Sequence, residues 1–334
     1  MTQADNQHQK RVDSLAQAFG VLKKELGKVI VGQEDVVEEV LTAVFARGHC
    51  LLEGAPGLAK TLLISTLAKC MQLEFRRVQF TPDLMPSDIV GSELLQDDPV
   101  TGKRMFQFQK GPIFTNILLA DEINRTPPKT QAALLEAMQE KQITAGGKNY
   151  KLDPPFFVLA TQNPVDQEGT YPLPEAQLDR FLYKIVVDYP TEDEEVQIVK
   201  KVTSDGMGTP EVVLTQEHVI AGQGIVKDIV VADAVIEYAT RIARATRPKR
   251  EEAPDFIKEF ISWGAGPRAS LCLIQAAKAR AALNGRYYAA VEDVQTVALP
   301  VMRHRIIPNF TAQAEGYTSD DLVRKLLEAI PVEV

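Results

Sequence analysis

Residues 51–61 join a short apolar run to a glycine-rich turn, and Lys60 and Thr61 then begin a helical run. This order of strand, turn and helix is the context that a phosphate-binding P-loop requires. Backbone N–H groups of the turn and the helix N-terminus would point at phosphate oxygens, Lys60 would add a positive charge, and the Thr61 hydroxyl would bind Mg²⁺. The nucleotide-binding residues predicted for this segment are Gly54, Ala55, Pro56, Gly57, Leu58, Ala59, Lys60, Thr61 and Leu62.

One position departs from the strict G-x-x-x-x-G-K-[ST] pattern, because Ala59 stands where the second glycine is usual. A methyl group narrows the conformations that are open to the backbone at that residue. We therefore expect the loop to close on Gly57 and on Pro56, whose ring fixes φ. An ordinary Gly-Pro turn is the alternative interpretation of this segment.

An apolar run at residues 117–120 ends in two acids, Asp121 and Glu122, which is the form of a Walker B element. A buried parallel strand reads as a continuous apolar run and presents its last residues at the carboxyl edge of the sheet, where ligands bind. Asp121 is predicted to hold Mg²⁺ through water, and Glu122 to polarise the attacking water. The alternative, a solvated pair of acids at a helix start, is disfavoured downstream of a P-loop, so ATP hydrolysis is favoured over binding alone.

The composition is that of a globular protein with room for two domains, since 45% of its 334 residues are hydrophobic and 25% are charged. No apolar run is long enough to span a bilayer, and the polar first residues lack the apolar core of a signal peptide. Cys50, Cys70 and Cys272 lack metal-binding spacing, which favours buried thiols. We therefore expect a cytoplasmic protein with no metal site beyond Mg²⁺.

Candidate strands alternate with helical patterns through the first part of the chain, at residues 49–53, 75–80, 117–120, 156–161 and 181–187. This alternation predicts an α/β fold whose five-stranded parallel sheet is covered on both faces. Segments 97–103 and 145–148 read as the turns of two inserted hairpins.

Helical patterns dominate after Pro190. We predict an α/β nucleotide-binding domain with both hairpins at residues 1–190 and a smaller all-α domain at residues 191–334. The tract 211–223 fits either a strand or a helix.

Three polar residues outside these motifs are further candidates. Asn163 follows a predicted strand, where its amide would orient water against a γ-phosphate, although an Asn-Pro turn is the alternative. Arg180 precedes the last strand and is either a surface ion-pair partner or a finger that reaches a neighbouring subunit's nucleotide. Arg268 falls in the first turn of a predicted helix, where the helix dipole disfavours a cation unless a phosphate compensates.

Together these motifs resemble those of AAA+ ATPases, and within them the MoxR family, over nearly the whole chain from about residue 29 to residue 304. The segments that carry the resemblance are residues 31–33, 54–61, 120–129, 159–164, 175–181 and 266–269.

The resemblance implies roles for several residues. It implies that Asn163 is sensor 1, Arg180 the arginine finger and Arg268 sensor 2. It makes Ile30, Val31 and Gly32 part of the adenine pocket. The family also tolerates alanine at position 59, and the two hairpins correspond to the helix-2 and pre-sensor-1 insertions of this clade.

Partners also follow from the resemblance alone. It implies a hexameric ring that binds ATP and Mg²⁺ at subunit interfaces and remodels or matures protein complexes, often with a von Willebrand factor A domain partner. Magnesium-chelatase subunits and DNA-acting motors share the insertions and are the alternative functions. A non-hydrolysing nucleotide switch is a further alternative, but it would be expected to lack the second acid, which is present here as Glu122. A net charge of −8 and mixed charges at the hairpin tips (Asp97, Asp98, Lys103 and Arg104; Lys148 and Lys151) make nucleic acid a disfavoured partner.

Overall fold

A five-stranded parallel sheet forms the centre of the computed structural model, which describes residues 3–97, 104–164, 169–204 and 208–332. Strands are numbered in sequence order over the whole chain. Those of this sheet are β1 (Cys50–Glu53), β2 (Phe75–Gln79), β5 (Ile117–Asp121), β8 (Phe157–Gln162) and β9 (Tyr183–Val186). They lie in the order β2-β5-β8-β1-β9. The predicted parallel sheet is therefore confirmed, with each strand within about two residues of its expected bounds.

Two antiparallel hairpins interrupt the sheet order, as predicted: β3 (Gly91–Asp97) with β4 (Arg104–Lys110), and β6 (Gln142–Ala145) with β7 (Lys148–Lys151). The two hairpins pack together, because Phe108 of β4 stacks on Tyr150 of β7 with ring centroids 4.4 Å apart. The turn predicted at residues 97–103 begins at Asp97, the last residue of β3, and its remaining residues, 98–103, lie outside the described residues.

Helices cover the sheet and make up most of the rest of the chain. They are α1 (Gln3–Gly27), α2 (Glu34–Phe45), α3 (Lys60–Cys70), α4 (Pro86–Val90), α5 (Pro128–Glu140), α6 (Glu175–Leu178), α7 (Glu192–Thr203), α8 (Gln216–Asp228), α9 (Asp233–Ala245), α10 (Asp255–Phe260), α11 (Pro267–Leu283), α12 (Val291–Met302), α13 (Phe310–Ala314) and α14 (Ser319–Ala329). No helix in the described ranges is long and apolar enough to cross a membrane.

Alternate residues of the central strands enter two separate cores, which explains their continuous apolar sequences. Leu52 and Leu119 face the core that contains α1, α2 and α3, whereas Leu51 and Leu118 face the core that contains α5. A parallel sheet that is covered on both faces needs this pattern. Cys50, Cys70 and Cys272 are free and buried, as predicted.

The helices after residue 191 form the predicted helical lid, which shares one hydrophobic core with α1, α2 and α3. Gly222 of α8 lies so close to Phe45 of α2 that a Cβ on the glycine would be 2.7 Å from the ring. Short strands also occur here, with β10 (Val230–Val231) beside β12 (Tyr288–Ala289) and β11 (Ile261–Trp263) beside β13 (Ile307–Pro308). The ambiguous tract 211–223 ends in the first turns of α8, and the domain boundary near Pro190 stays a prediction.

Candidate nucleotide site

A cavity of about 440 Å³ opens at the carboxyl edge of the sheet, between the loop after β1 and the ends of β5 and β8. Helix α3 begins at this cavity, and no side chain caps its N-terminus. Its first backbone N–H groups are therefore available to a ligand. The cavity is lined by Pro56, Gly57, Leu58, Ala59, Lys60, Thr61, Leu62, Arg77, Gln79, Asp121, Glu122, Thr161 and Asn163.

The conformation of the loop corrects one expectation. Ala59 does not keep to the ordinary region but has φ 54° and ψ 20°, which is left-handed, and Gly57 also has a positive φ of 86°. A left-handed conformation costs a residue with a Cβ roughly 1–2 kcal/mol. The loop therefore closes through residue 59 as well as Gly57. Ala59 has the backbone conformation that a glycine would adopt there, at the steric cost given above.

Lys60 reaches across the loop, and its Nζ donates a hydrogen bond of 2.6 Å to the carbonyl oxygen of Gly54. Burial lowers the pKa of the Lys60 ammonium, while the nearby carboxylates of Asp121 and Glu122 oppose that shift. An ammonium that is partly desolvated and close to both acids is placed to interact strongly with an anionic ligand in the cavity.

Asp121 ends β5 and is held from two sides. The Thr161 hydroxyl donates to its Oδ1 at 2.6 Å. The guanidinium of Arg77, on neighbouring β2, donates to its Oδ2 from Nη2 at 2.6 Å and from Nε at 3.0 Å. Asp121 is thus part of a network, with an orientation set by β2 and β8.

Glu122 follows Asp121 in a left-handed conformation with φ 57°. Strained backbone of this kind persists only where the surroundings hold it, and it clusters at functional sites. The backbone N–H of Glu122 donates to the Thr161 hydroxyl at 2.9 Å, and its Oε2 accepts from Gln79 Nε2 at 2.7 Å and from Arg125 Nη1 at 3.0 Å. The carboxylate is therefore fixed beside the cavity.

Sequence reasoning missed Arg77, Gln79 and Thr161 as contributors to this site. Gln79 pairs with Asp121 in the register of the parallel sheet, and Thr161 is the penultimate residue of β8, the strand on the other side of β5. The available signal was that polar residues at the ends of parallel strands meet at one edge. Asn163, which sequence reasoning did select, is buried and lines the cavity.

The predicted adenine-pocket residues line a neighbouring cavity of about 450 Å³ together with parts of α1, α2 and α7. The segment is Ile30, Val31 and Gly32, and the next residue, Gln33, donates from Nε2 to the carbonyl oxygen of Leu58 at 3.4 Å. This hydrogen bond joins the segment to the P-loop, so the two cavities are adjacent.

Arg180 and Arg268 are not among the residues that line either cavity. Arg180 lies three residues before β9. It is therefore at the amino-terminal ends of the parallel strands, whereas the P-loop follows the carboxyl end of β1. Arg268 is in the first turn of α11, one turn before Cys272. Buried Arg305 joins the two segments, because it donates to Cys272 Sγ at 3.3 Å and to the carbonyl oxygen of Phe181 at 2.6 Å.

Arg180 forms no ion pair with another described residue of its own chain, and its role, surface residue or finger, stays a prediction. The segments just before Arg180 and Arg268 line a third cavity, of about 510 Å³. Arg180 and Arg268 themselves line neither this cavity nor the P-loop cavity.

The residues of the P-loop cavity fit a magnesium–nucleotide complex. They offer an uncapped helix N-terminus and a lysine for phosphates, and the Thr61 hydroxyl and Asp121 carboxylate for the metal. Among the described residues, no group of three or more His, Cys, Asp or Glu side chains is arranged to hold a metal alone. Mg²⁺ suits such a site, because it commonly takes one or two protein oxygens with substrate phosphates and water.

Known proteins with similar sequences agree with this arrangement. The family model of ATPases associated with various cellular activities (AAA) matches residues 49–183, and the AAA lid domain matches residues 256–326. Chaperone MoxR1 of Mycobacterium tuberculosis is 41% identical over 308 residues, which cover 92% of this chain and 80% of that protein. Protein MoxR of Methylorubrum extorquens is 29% identical, with 92% and 93% covered.

A solved structure is similar over the whole chain as well. The crystal structure of a candidate ATPase from Cytophaga hutchinsonii has a TM-score of 0.91 and 39% sequence identity, with 100% of both chains covered. The parallel sheet, the loop after β1, the lid and these relatives lead to one conclusion: the chain belongs to the MoxR family of AAA+ ATPases.

Proposed function

We propose that this protein binds Mg²⁺ and ATP in the P-loop cavity and hydrolyses the bond between the β- and γ-phosphates. The observation that carries the proposal is the meeting of Lys60, Asp121, Glu122 and Asn163 at one cavity below the uncapped start of α3. Thr61 and Asp121 would hold the metal, which neutralises phosphate charge when bound. Glu122 would accept a proton from the attacking water, and Asn163 would orient that water.

We further propose that Arg180 and Arg268 act on the nucleotide of a neighbouring subunit in a hexameric ring. Neither residue lines its own P-loop cavity, and Arg180 precedes the amino-terminal end of β9 whereas the P-loop follows the carboxyl end of β1, which supports action on a neighbour's nucleotide. A cation supplied by the neighbour would complete the site only on assembly. Residues 1–190 and 191–334 would then serve as nucleotide-binding domain and lid, in a cytoplasmic protein.

The free energy of ATP hydrolysis would be used to remodel or mature a protein complex, with a von Willebrand factor A domain protein as one class of partner. The first hairpin supports a protein client, because Leu94, Leu95, Met105 and Phe106 are exposed on it. Exposed apolar clusters of this kind mark protein contacts, whereas a nucleic-acid surface would need basic side chains.

Lys60→Ala is expected to weaken ATP binding by about tenfold or more, since charge-assisted contacts are worth about 1.5–3 kcal/mol each and 1.4 kcal/mol is tenfold. Calorimetry with ATP and Mg²⁺ measures this directly. Lys69→Ala, on the exposed side of the same helix, is the matched control and should bind like the unaltered protein. Equal affinities for both variants would remove the P-loop assignment.

Phe106→Ser should lower client recovery by roughly tenfold, because burying a phenylalanine contributes about 1.5–3 kcal/mol. Phe106 is 70% exposed, so the substitution should leave folding and ATP hydrolysis unaffected. The measurement compares, by mass spectrometry, the proteins retained by ATP-loaded Glu122→Gln with those retained by the double variant Glu122→Gln/Phe106→Ser.

Phe310→Ser is the control for the hairpin, because Phe310 is 84% exposed but lies in the lid. Equal loss with both phenylalanine variants would show general stickiness and not a hairpin site. Salt-dependent binding of DNA by the unaltered protein would favour the DNA-motor alternative instead.

A further inference from the structure

The strongest unexplained contact in the P-loop cavity is the one between Arg77 and Asp121. Two N–H groups of the Arg77 guanidinium donate to the same carboxylate oxygen, Oδ2, at 2.6 Å and 3.0 Å. Arg77 lines the cavity with the P-loop residues, although it belongs to β2 and to none of the motifs that define the site. Its function is therefore not accounted for by the P-loop, the acidic pair or the trans-acting arginines.

The geometry places this guanidinium in competition with a metal. A carboxylate oxygen has two lone pairs, and Arg77 uses both of those on Oδ2. The Oδ1 atom already accepts the Thr161 hydroxyl. A metal-bound water that approached Asp121 would meet a carboxylate that is largely satisfied and a fixed positive charge beside it, and like charges at such short range repel strongly.

We propose that Arg77 is a counter-ion built into the site, which occupies Asp121 until a magnesium–nucleotide complex displaces it. This inference rests on the proposed function of the P-loop cavity and assigns a positioning role, not a catalytic one, to Arg77. Arg77 suppresses the binding of free divalent ions to the empty site. Metal then enters with the nucleotide, whose phosphates supply the ligands and the negative charge that offset the loss of the ion pair.

A second contact ties this exchange to the catalytic acid. Nη2 of Arg77 also donates to Gln79 Oε1 at 2.7 Å, and the amide of Gln79 donates to Glu122 Oε2 at 2.7 Å. When Arg77 leaves Asp121, it also withdraws its hydrogen bond to Gln79 Oε1. The Gln79 side chain, whose Nε2 donates to Glu122, is then held less firmly. Metal entry at Asp121 is thereby coupled to the hydrogen bonding of Glu122.

The test is the affinity for a divalent ion, measured apart from turnover. Mn²⁺ binding to the nucleotide-free protein is followed by electron paramagnetic resonance, and ADP binding is measured by calorimetry over a range of Mg²⁺ concentrations and in EDTA. Arg77→Gln should bind Mn²⁺ roughly tenfold more tightly and reach half-maximal ADP binding at roughly tenfold lower Mg²⁺. Its ADP affinity in EDTA should be unchanged.

Two variants serve as controls. Arg76→Gln alters the neighbouring arginine, whose guanidinium pairs with Glu74 at 2.8 Å and not with the cavity, and should shift neither metal value. Arg77→Lys keeps the charge and should shift both metal values less than Arg77→Gln does, although it loses the two-pronged contact.

Each other outcome overturns the inference. Unchanged Mn²⁺ affinity in Arg77→Gln would mean that the ion pair does not compete with metal. Weaker Mn²⁺ affinity would mean that Arg77 orients Asp121 for the metal, and weaker ADP binding in EDTA would mean that Arg77 contacts phosphate. A failure of the unaltered protein to bind ADP or ATP with Mg²⁺ would instead refute the proposed function itself.

Discussion

Glu122→Gln is expected to lower the rate of ATP hydrolysis by roughly 10²–10⁴-fold, the typical effect of losing a general base. The substitution keeps the size of the side chain and its left-handed backbone, and an amide can still hydrogen bond to Gln79. ATP affinity should therefore change little, because Lys60 and the start of α3 are untouched. Steady-state phosphate release and calorimetry with ATP measure the two quantities separately.

The control for this variant is Glu136→Gln, which alters an exposed glutamate of α5. It should hydrolyse ATP at the unaltered rate. A normal rate for Glu122→Gln would make the catalytic role of this residue wrong, and an equal loss of ATP binding and turnover would point to a structural role at the end of β5.

Arg180→Ala should also abolish most of the ATPase activity, by roughly 10²-fold or more if the residue acts as an arginine finger. Nucleotide binding to the isolated subunit should be unaffected, since Arg180 lies at the amino-terminal ends of the strands and the P-loop lies at their carboxyl ends. The matched control is Arg324→Ala. Arg324 forms an exposed ion pair of 3.2 Å with Asp321, the kind of contact that contributes at most about 1 kcal/mol.

Mixing two inactive proteins tests whether Arg180 acts in trans. In rings that contain both Arg180→Ala and Glu122→Gln subunits, some interfaces join an intact Glu122 to a neighbour that supplies Arg180. Partial activity should return there, and Arg268→Ala should complement Glu122→Gln in the same way. No recovery in rings whose subunits demonstrably mix would count against a shared site, and activity of Arg180→Ala alone would favour a surface role.

Much of the fold could be predicted because each element has a local signature. Apolar runs marked β1, β5 and β8, and the P-loop and the acids after residue 120 identified the nucleotide-binding ends of these strands. The partners of those acids could not be predicted, because they depend on strand order: β2 and β5 lie side by side although about 40 residues separate them. Arg77 and Gln79 become neighbours of Asp121 and Glu122 only through that pairing.

The conformation of Ala59 shows a different limit of sequence reasoning. A left-handed conformation is sterically unfavourable for alanine, but Ala59 adopts it nevertheless. The cost is roughly 1–2 kcal/mol, and Ala59 accepts it as the residue from which α3 starts. A local preference of that size is within what tertiary structure commonly overrides.

The hydrophobic core that the lid shares with α1, α2 and α3 has a mechanical consequence. A hinge between the sheet and its own lid would have to separate Phe45 from α8 and expose buried apolar surface, at about 25 cal/mol for each Å². We therefore expect the sheet and lid of one chain to move largely as one body. In the ring that we propose, we therefore expect the main rearrangement between nucleotide states to occur at the contacts between neighbouring chains and not within one chain.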